Sequence, residues 1–170
     1  WALFVGGFIP ALISGVAVGN VLLGVPFGLD ETLRPHYTGN FFGLLRPFAL
    51  LAGLTSVAML VAHGASVIAA RCEGPVADRA RTFGKWAAVA TVVLFALGGT
   101  WVAFGLDGYV VTSVQDAMAP SNPLAKTVAL QAGGWVENYG RHPWMLIAPA
   151  LGLLGSLAAY AGLAGRMWKT

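Results

Sequence analysis

Four long stretches without an aspartate, glutamate, lysine or arginine decide most of what this chain can become: Trp1 to Leu29, Pro47 to Ala70, Trp86 to Leu106 and Pro143 to Gly165. Each exceeds the roughly 20 residues that a helix needs to cross a hydrocarbon core of about 30 Å. Lipid offers no water to the backbone, and none of the four runs alternates with period two, so helices are predicted over barrel strands. Composition agrees: 57% of residues are hydrophobic and 10% charged, with a mean hydropathy of +0.72, whereas a soluble domain is about 25% charged. The predicted fold class is an all-α, polytopic integral membrane helical bundle. It has four transmembrane helices, about 1–25, 45–70, 86–106 and 144–165, in a single transmembrane domain over 1–170 with an outer loop at 107–143.

The chain opens at Trp1 inside an apolar run, with no initiator Met and no basic leader, and reads as a fragment. Its single cysteine, Cys72, excludes a disulfide within the chain and supplies no CxxCH haem attachment. The net charge of +3 comes from basic residues beside the predicted helix ends, where lipid headgroups account for them, and no nucleic-acid patch is present. Arg71, Arg79, Arg81 and Lys85 make 71–85 the densest basic loop, which the positive-inside rule places in the cytoplasm. Arg166 and Lys169 agree after two further crossings. The loops at 26–44 and 107–143 then lie outside.

Small residues predict how the helices meet. Gly15 and Gly19 form a GxxxG pair, Gly53, Ser56, His63 and Ser66 make a small and polar stripe, and Thr91, Gly98 and Gly105 recur seven apart. Gly152 and Ser156 repeat the four-residue spacing. Pro10 and Pro149 are expected to kink or bend their helices, and Trp144 and Trp168 to mark the interfacial belts of the last one. His63 is the one histidine well inside a predicted helix. It reads as a neutral imidazole hydrogen-bonded to a neighbouring helix, against a haem or metal ligand. A bis-histidine haem needs a second buried histidine, whereas His36 is in a loop and His142 at a helix edge. Asp107 follows a predicted helix C-terminus, where the dipole disfavours an anion, so a cationic or hydrogen-bonding partner is expected.

The loops carry their own signals. Gly19, Gly24 and Pro26 close the first run, Gly39 and Pro47 flank the second, and Asp30, Glu31, Arg34 and His36 put the turn between them in water. Asn20, near the membrane surface, is placed to cap or cross-link. In 107–143, Asn122 before Pro123 reads as a helix start, and Leu124, Val128 and Trp135 fall at helical spacing. That predicts a short interfacial helix ending near Gly133 and Gly134, or alternatively a lid over a pocket. No nucleophile–base pair, metal-ligand set or phosphate loop converges, and no carboxylate lies inside a predicted helix.

Taken in order, the blocks GNVLLGVPF (Gly19 to Phe27), LRPHYTGNFF (Leu33 to Phe42), FFGLLRPFALLAGL (Phe41 to Leu54), FGLDGY (Phe104 to Tyr109), SNPLAK (Ser121 to Lys126) and APALG (Ala148 to Gly152) resemble subunit II of the cytochrome bd quinol oxidases. The resemblance runs from about Phe8 to Ala164. It implies a multi-pass protein of the bacterial cytoplasmic (inner) membrane, one half of a heterodimer in the respiratory chain. In that family the partner, subunit I, carries the b and d haems, oxidises quinol and reduces oxygen to water. Subunit II is a haem-free companion needed for assembly of the haem sites and, in some members, holds a structural quinone. No cofactor or metal is therefore expected on this chain. Gly19, Asn20, Pro26, Gly39, Asn40, Pro47, Asp107, Gly108 and Asn122 are implied as signature positions of mainly structural role, with His63 and Ser56 as polar candidates within the membrane. Arg46 and His63 depart from the asparagine and glutamine expected there, and the family's acidic proton-entry residue would precede Trp1. A membrane transporter subunit with broken helices at Pro10 and Pro149 is the alternative reading.

Overall fold

The structure, a computed structural model, describes residues 1–114, 116, 118–119 and 126–165. Four helices long and apolar enough to cross a membrane dominate it: α1 (Ala2–Leu23), α2 (Pro47–Arg71), α3 (Pro75–Gly105) and α5 (Ile147–Ala164), with a short α4 (Glu137–Arg141) between the last two. The chain is thus a mostly helical, multi-pass membrane protein. It divides into two compact units, Trp1–Gly98 with the segment from Ala148 onward, and Gly99–Ile147.

In the first unit, α1 and α2 are joined where small residues let backbone meet backbone. A Cβ placed on Gly15 would lie 2.5 Å from the Ala52 carbonyl oxygen and 2.6 Å from Ser56 Cβ, and one on Gly53 would lie 2.9 Å from the Leu12 carbonyl oxygen. Gly15, Val16, Gly19 and Asn20 are buried from α1, and Phe48, Ala49 and Gly53 from α2. Without a hydrophobic drive between helices in lipid, this close van der Waals fit is what holds the pair.

The connection between them is a two-stranded antiparallel ribbon, β1 (Phe27–Leu29) with β2 (Pro35–Tyr37), followed by a 3-10 turn over Phe41–Leu44. Asp30 builds the ribbon's turn: its Oδ1 accepts the Thr32 and Arg34 amides at 2.8 and 2.9 Å and the Thr32 hydroxyl at 2.7 Å. Pro47 then opens α2 at a position whose N–H has no helical partner anyway.

Cys72–Gly74 alone separates α2 from α3, so the expected basic loop over 71–85 is largely helix. Gly74 at φ 70° turns the chain, Pro75 starts the helix, and Asp78 in the first turn suits the positive end of its dipole. At 31 residues α3 is about 46 Å long, more than a hydrocarbon core needs. The surplus carries Arg79, Arg81 and Lys85. Against α3, α5 packs through Leu163, whose Cδ1 is 2.8 Å from where a Gly84 Cβ would stand, and Ala65, Ala69, Ala80 and Leu163 form a small core. α1 runs continuously through Pro10. Pro149 falls in the first turn of α5, where helix N–H groups lack acceptors, so it breaks no backbone bond.

The second unit holds the end of α3, a second antiparallel ribbon of β3 (Asp107–Val111) and β4 (Val128–Ala132), α4, and a 3-10 turn over Pro143–Leu146. Val128 therefore sits in a strand, contrary to the interfacial helix expected from Leu124, Val128 and Trp135. β-Branched Val110, Val111 and Val128 favour the ribbon, and Gly108 lets Gly134 and the Trp135 amide close over it without a side chain between. Asn122, Pro123 and Leu124, the proposed start of that helix, lie outside the described residues, as do Arg166, Trp168 and Lys169.

Candidate functional site

The feature of the first unit with both volume and polar groups is a groove of about 520 Å³ among α2, α3 and α5. Its polar lining comes from His63 and Ser66 on α2, Arg81 and Thr91 on α3 and Ser156 on α5, set among alanines and glycines. Each hydroxyl donates to the carbonyl four residues back in its own helix: Ser66 to Ala62 and Thr91 to Ala87, both at 2.8 Å, and Ser156 to Gly152 at 3.0 Å. That satisfies the donor within the helix, as lipid requires, and turns the hydroxyl lone pairs to the groove. Arg81 pairs with Asp78 at 3.0 Å and reaches the Ala69 carbonyl, at the C-terminal end of α2, at 3.5 Å.

His63 is exposed on this groove and makes no hydrogen bond to a neighbouring helix among the described residues. The reason is position within the stripe. Gly53 and Ser56 turn to α1, while His63 and Ser66, further along, turn to α3 and α5. One run of small and polar residues thus serves two neighbours. Linear spacing gave no signal that Thr91, Ser156 and Arg81 would join His63; their convergence depends on how three helices are set against one another.

A second groove, about 380 Å³, is almost entirely apolar and lies between Val16, Val21 and Val25 on one side and Phe41, Leu44 and Leu45 on the other. Asn20 is its one polar residue, buried to 6% exposure, and both amide hydrogens are in use: Nδ2 donates to the Val16 carbonyl at 2.9 Å and to the Leu44 carbonyl at 2.8 Å. Asn20 thereby ties the last turns of α1 to the turn that precedes α2.

The remaining sequence positions fall into two local clusters. Around the first ribbon, Gly19 faces Ala49, the Pro26 carbonyl accepts the Thr38 amide at 3.2 Å, and Gly39 lies under the Tyr37 ring. Asn40 caps the 3-10 turn through Oδ1 to the Gly43 amide at 2.8 Å, and its carbonyl accepts the Tyr37 hydroxyl at 2.9 Å. Tyr37 was not singled out from sequence, though it locks this corner. In the second unit, Gly108 is buried in the ribbon and Tyr109 meets Trp135 edge to face at 6.4 Å. Asp107 stands exposed at the start of β3, two residues after α3 ends at Gly105, and makes neither an ion pair nor a side-chain hydrogen bond among the described residues. Glu137 and Arg141 pair along α4.

The electrostatics are modest. Hydrogen bonding of the carboxylate by the Arg34 amide, then by the Thr32 hydroxyl, holds Asp30 below its ordinary value of 3.8. Among the described residues no three of His, Cys, Asp and Glu gather as a metal site. A haem held by two histidines is not matched by the donors at hand: His63 lies within α2, His36 in β2 and His142 before the 3-10 turn. A quinone carbonyl needs a donor. The Asn20 groove has none to spare, whereas the larger groove offers the His63 imidazole.

The sequence matches the family model described as cytochrome bd terminal oxidase subunit II over residues 1–169. It is 50% identical over 154 residues to the cytochrome bd-I ubiquinol oxidase subunit 2 of Escherichia coli K12, covering 91% of this chain and 41% of that protein. To the probable cytochrome oxidase subunit 2 of Haemophilus influenzae it is 47% identical over 157 residues, 92% of this chain and 41% of the relative. The cytochrome bd ubiquinol oxidase subunit 2 of Bacillus subtilis is 27% identical over 81 residues, 48% of this chain and 23% of that protein. The chain thus spans about two fifths of the length of the first two relatives. Four apolar helices closed by glycine seams, an Asn20 clamp at the first ribbon and a match along nearly every residue lead to one assignment: the chain belongs to the cytochrome bd terminal oxidase subunit II family.

Proposed function

We propose that this chain is the helical scaffold portion of subunit II in a cytochrome bd-type quinol:oxygen oxidoreductase. In the assembled oxidase it supports a haem-bearing subunit I, the partner that oxidises quinol and reduces oxygen to water in the aerobic respiratory chain. The observation that carries the reading is the family match over residues 1–169. The donor inventory fits it, since the described residues present one intramembrane histidine and no carboxylate inside α1, α2 or α5. The b and d haems supply the electron-transfer and oxygen chemistry from subunit I. This chain's part is to hold the partner's membrane face in place through packed helices, at a membrane surface that is tied down by Asn20 and the Tyr37–Asn40 corner.

The protein sits in the bacterial cytoplasmic membrane. The basic segment 71–85, mostly the exposed start of α3, faces the cytoplasm, and 26–44 and 107–143 face outward, as the distribution of Arg and Lys favours. A structural quinone, where this subunit holds one, would place a carbonyl on His63. The experiment is co-expression of the full-length chain with and without its subunit I, followed by visible spectroscopy of each purified product. Haem absorption is expected from the complex and not from the full-length chain alone. A haem spectrum from that chain by itself, or a subunit I that assembles its haems without it, would overturn the reading.

A further inference from the structure

We propose that the first third of α3 carries a docking site for a phospholipid whose headgroup has a net negative charge, with the Arg79 guanidinium on its phosphate and Phe83 and Trp86 along its acyl chains. Level comes first. The charge-free run of α3 begins at Trp86, so Pro75 to Lys85 project beyond the hydrocarbon, into a headgroup layer roughly 5–8 Å deep. Along the helix Phe83 stands about 4.5 Å, and Arg79 about 10 Å, further out than Trp86. An indole at the boundary, a phenyl ring just above it and a long cationic side chain within reach of the phosphates follow the order of an amphiphile from chain to head. Rotation comes second. Val76, Arg79, Phe83, Trp86, Val93 and Leu97 fall within an arc of about 100° at 3.6 residues per turn, and all six are exposed, Phe83 to 68% and Trp86 to 71%. Ala77, Ala80, Gly84 and Ala88, which α3 buries, occupy a separate arc.

Charge decides which lipid. Residues 71–85 carry Arg71, Arg79, Arg81 and Lys85 against Glu73 and Asp78, four cations to two carboxylates. Arg81 pairs with Asp78 at 3.0 Å, whereas Arg79 makes no hydrogen bond or ion pair among the described residues. A shallow hollow lined by Asp78, Arg79, Thr82 and Phe83 lies beside that free guanidinium. Its planar fork of N–H donors matches the oxygens of a phosphate. The ammonium of a zwitterionic headgroup would find the carboxylate of the hollow, Asp78, already paired, so the site favours a lipid whose phosphate charge is not cancelled. Below the headgroup the exposed stripe continues through Val93 and Leu97 to hydrocarbon depth, where acyl chains are the solvent. A water-soluble partner could cover Arg79 and Phe83 but not those two residues.

The inference needs α3 to span the bilayer and does not rest on the oxidase reading. The full-length protein, with subunit I if it is retained, is reconstituted in phosphatidylcholine vesicles that contain either brominated phosphatidylglycerol or brominated phosphatidylcholine. Trp86 emission is isolated as the difference between the unaltered protein and Trp86→Phe. Half-quenching of Trp86 is expected at a mole fraction of the anionic lipid about fivefold below that of the zwitterionic one, the preference that one interfacial cation confers. Added salt should narrow that ratio. Arg79→Gln should bring it to one, with Arg79→Met as the second variant if the first fails to assemble, while Arg71→Gln, which removes the same charge from the end of α2, should leave most of it in place. Equal quenching by the two lipids in the unaltered protein overturns the proposal, as does a ratio that persists without Arg79. A ratio lost equally with Arg71→Gln overturns it too, since the attraction then belongs to the whole basic surface. A Trp86 that neither lipid quenches means that protein covers this face, and no lipid docks there.

Discussion

α2 meets other helices along two of its edges with the same vocabulary of small and polar residues, yet the contact with α1 is shut, while toward α3 and α5 a close contact at Gly84, Ala65 and Leu163 gives way to open space around Gly152 and Gly155. On the α1 side, glycine faces backbone so closely that a single Cβ would stand 2.5 Å from a carbonyl oxygen. On the side of α3 and α5, Gly152 has Phe95 no nearer than 3.8 Å and Gly155 has nothing within 4 Å. The difference lies in what is opposed to the small residue. Where glycine meets glycine or alanine on a second straight helix, the backbones touch; where serine and histidine alternate with alanine beside a third helix, space with polar walls is left. A small-residue stripe therefore marks a helix face that turns to protein, without saying whether that face is a seam or a cavity.

The largest effect that would break this contrast comes from equal substitutions on its two sides. Gly15→Ala puts a methyl group into the backbone of α2 and is expected to lower the stability of the full-length protein by about 1–3 kcal/mol, read as a fall in its unfolding midpoint in mild detergent. Gly155→Ala, in open space, should leave the midpoint essentially unmoved. Equal responses would mean that the two contacts are packed alike. Next in size is the clamp. Asn20→Leu leaves the Leu44 carbonyl without its donor in a partly buried setting, a loss of about 1 kcal/mol, toward the lower end of the range for a stranded acceptor because the site is only partly buried and helix unfolding within lipid finds partial substitutes. Hydrogen exchange should rise at Gly43 to Leu45 and stay unchanged along Ser66 to Ala70; a spread of the effect to the latter would argue that the closed and open sides are coupled.

The smallest effect lies in the outer ribbon. Because the carboxylate of Asp30 is held below 3.8 by bonds it makes only in the folded turn, its contribution is present at pH values above 3.8 and fades as pH falls through the lowered folded value. Backbone amides of Thr32 and Arg34 should show faster opening, by NMR, only in that acid range. Asp30→Asn should flatten the acid dependence, and neither change should reach the α1–α2 seam.

The long helices were legible because their cause is local. A run of apolar residues without charge is a statement about solvent, and lipid leaves a continuous chain few backbone solutions. The GxxxG pair at Gly15 and Gly19 was legible for a related reason, since the absence of a side chain is itself the packing feature. Less could be read in polar and short segments. Residues 71–85 look like a loop by charge, but Pro75, Asp78 and the i,i+3 pair of Asp78 with Arg81 start a helix well before the apolar run begins. Val128 fits a helical period as well as an extended one, and its pairing with Val111 across sixteen intervening residues decided between them. His63 was correctly placed inside a helix, yet its neighbours were not foreseeable.

Taken alone, the sequence determined the solvent, the four spans, the glycine seam on α1 and the family, because each of these depends on composition or on spacing within one segment. Only the tertiary structure decided which polar residues share a space. His63, Ser66, Arg81, Thr91 and Ser156 come from three helices, and no period within one helix fixes its rotation and depth against two others; those are set by side-chain contacts such as Ala65, Gly84 and Leu163 packing together.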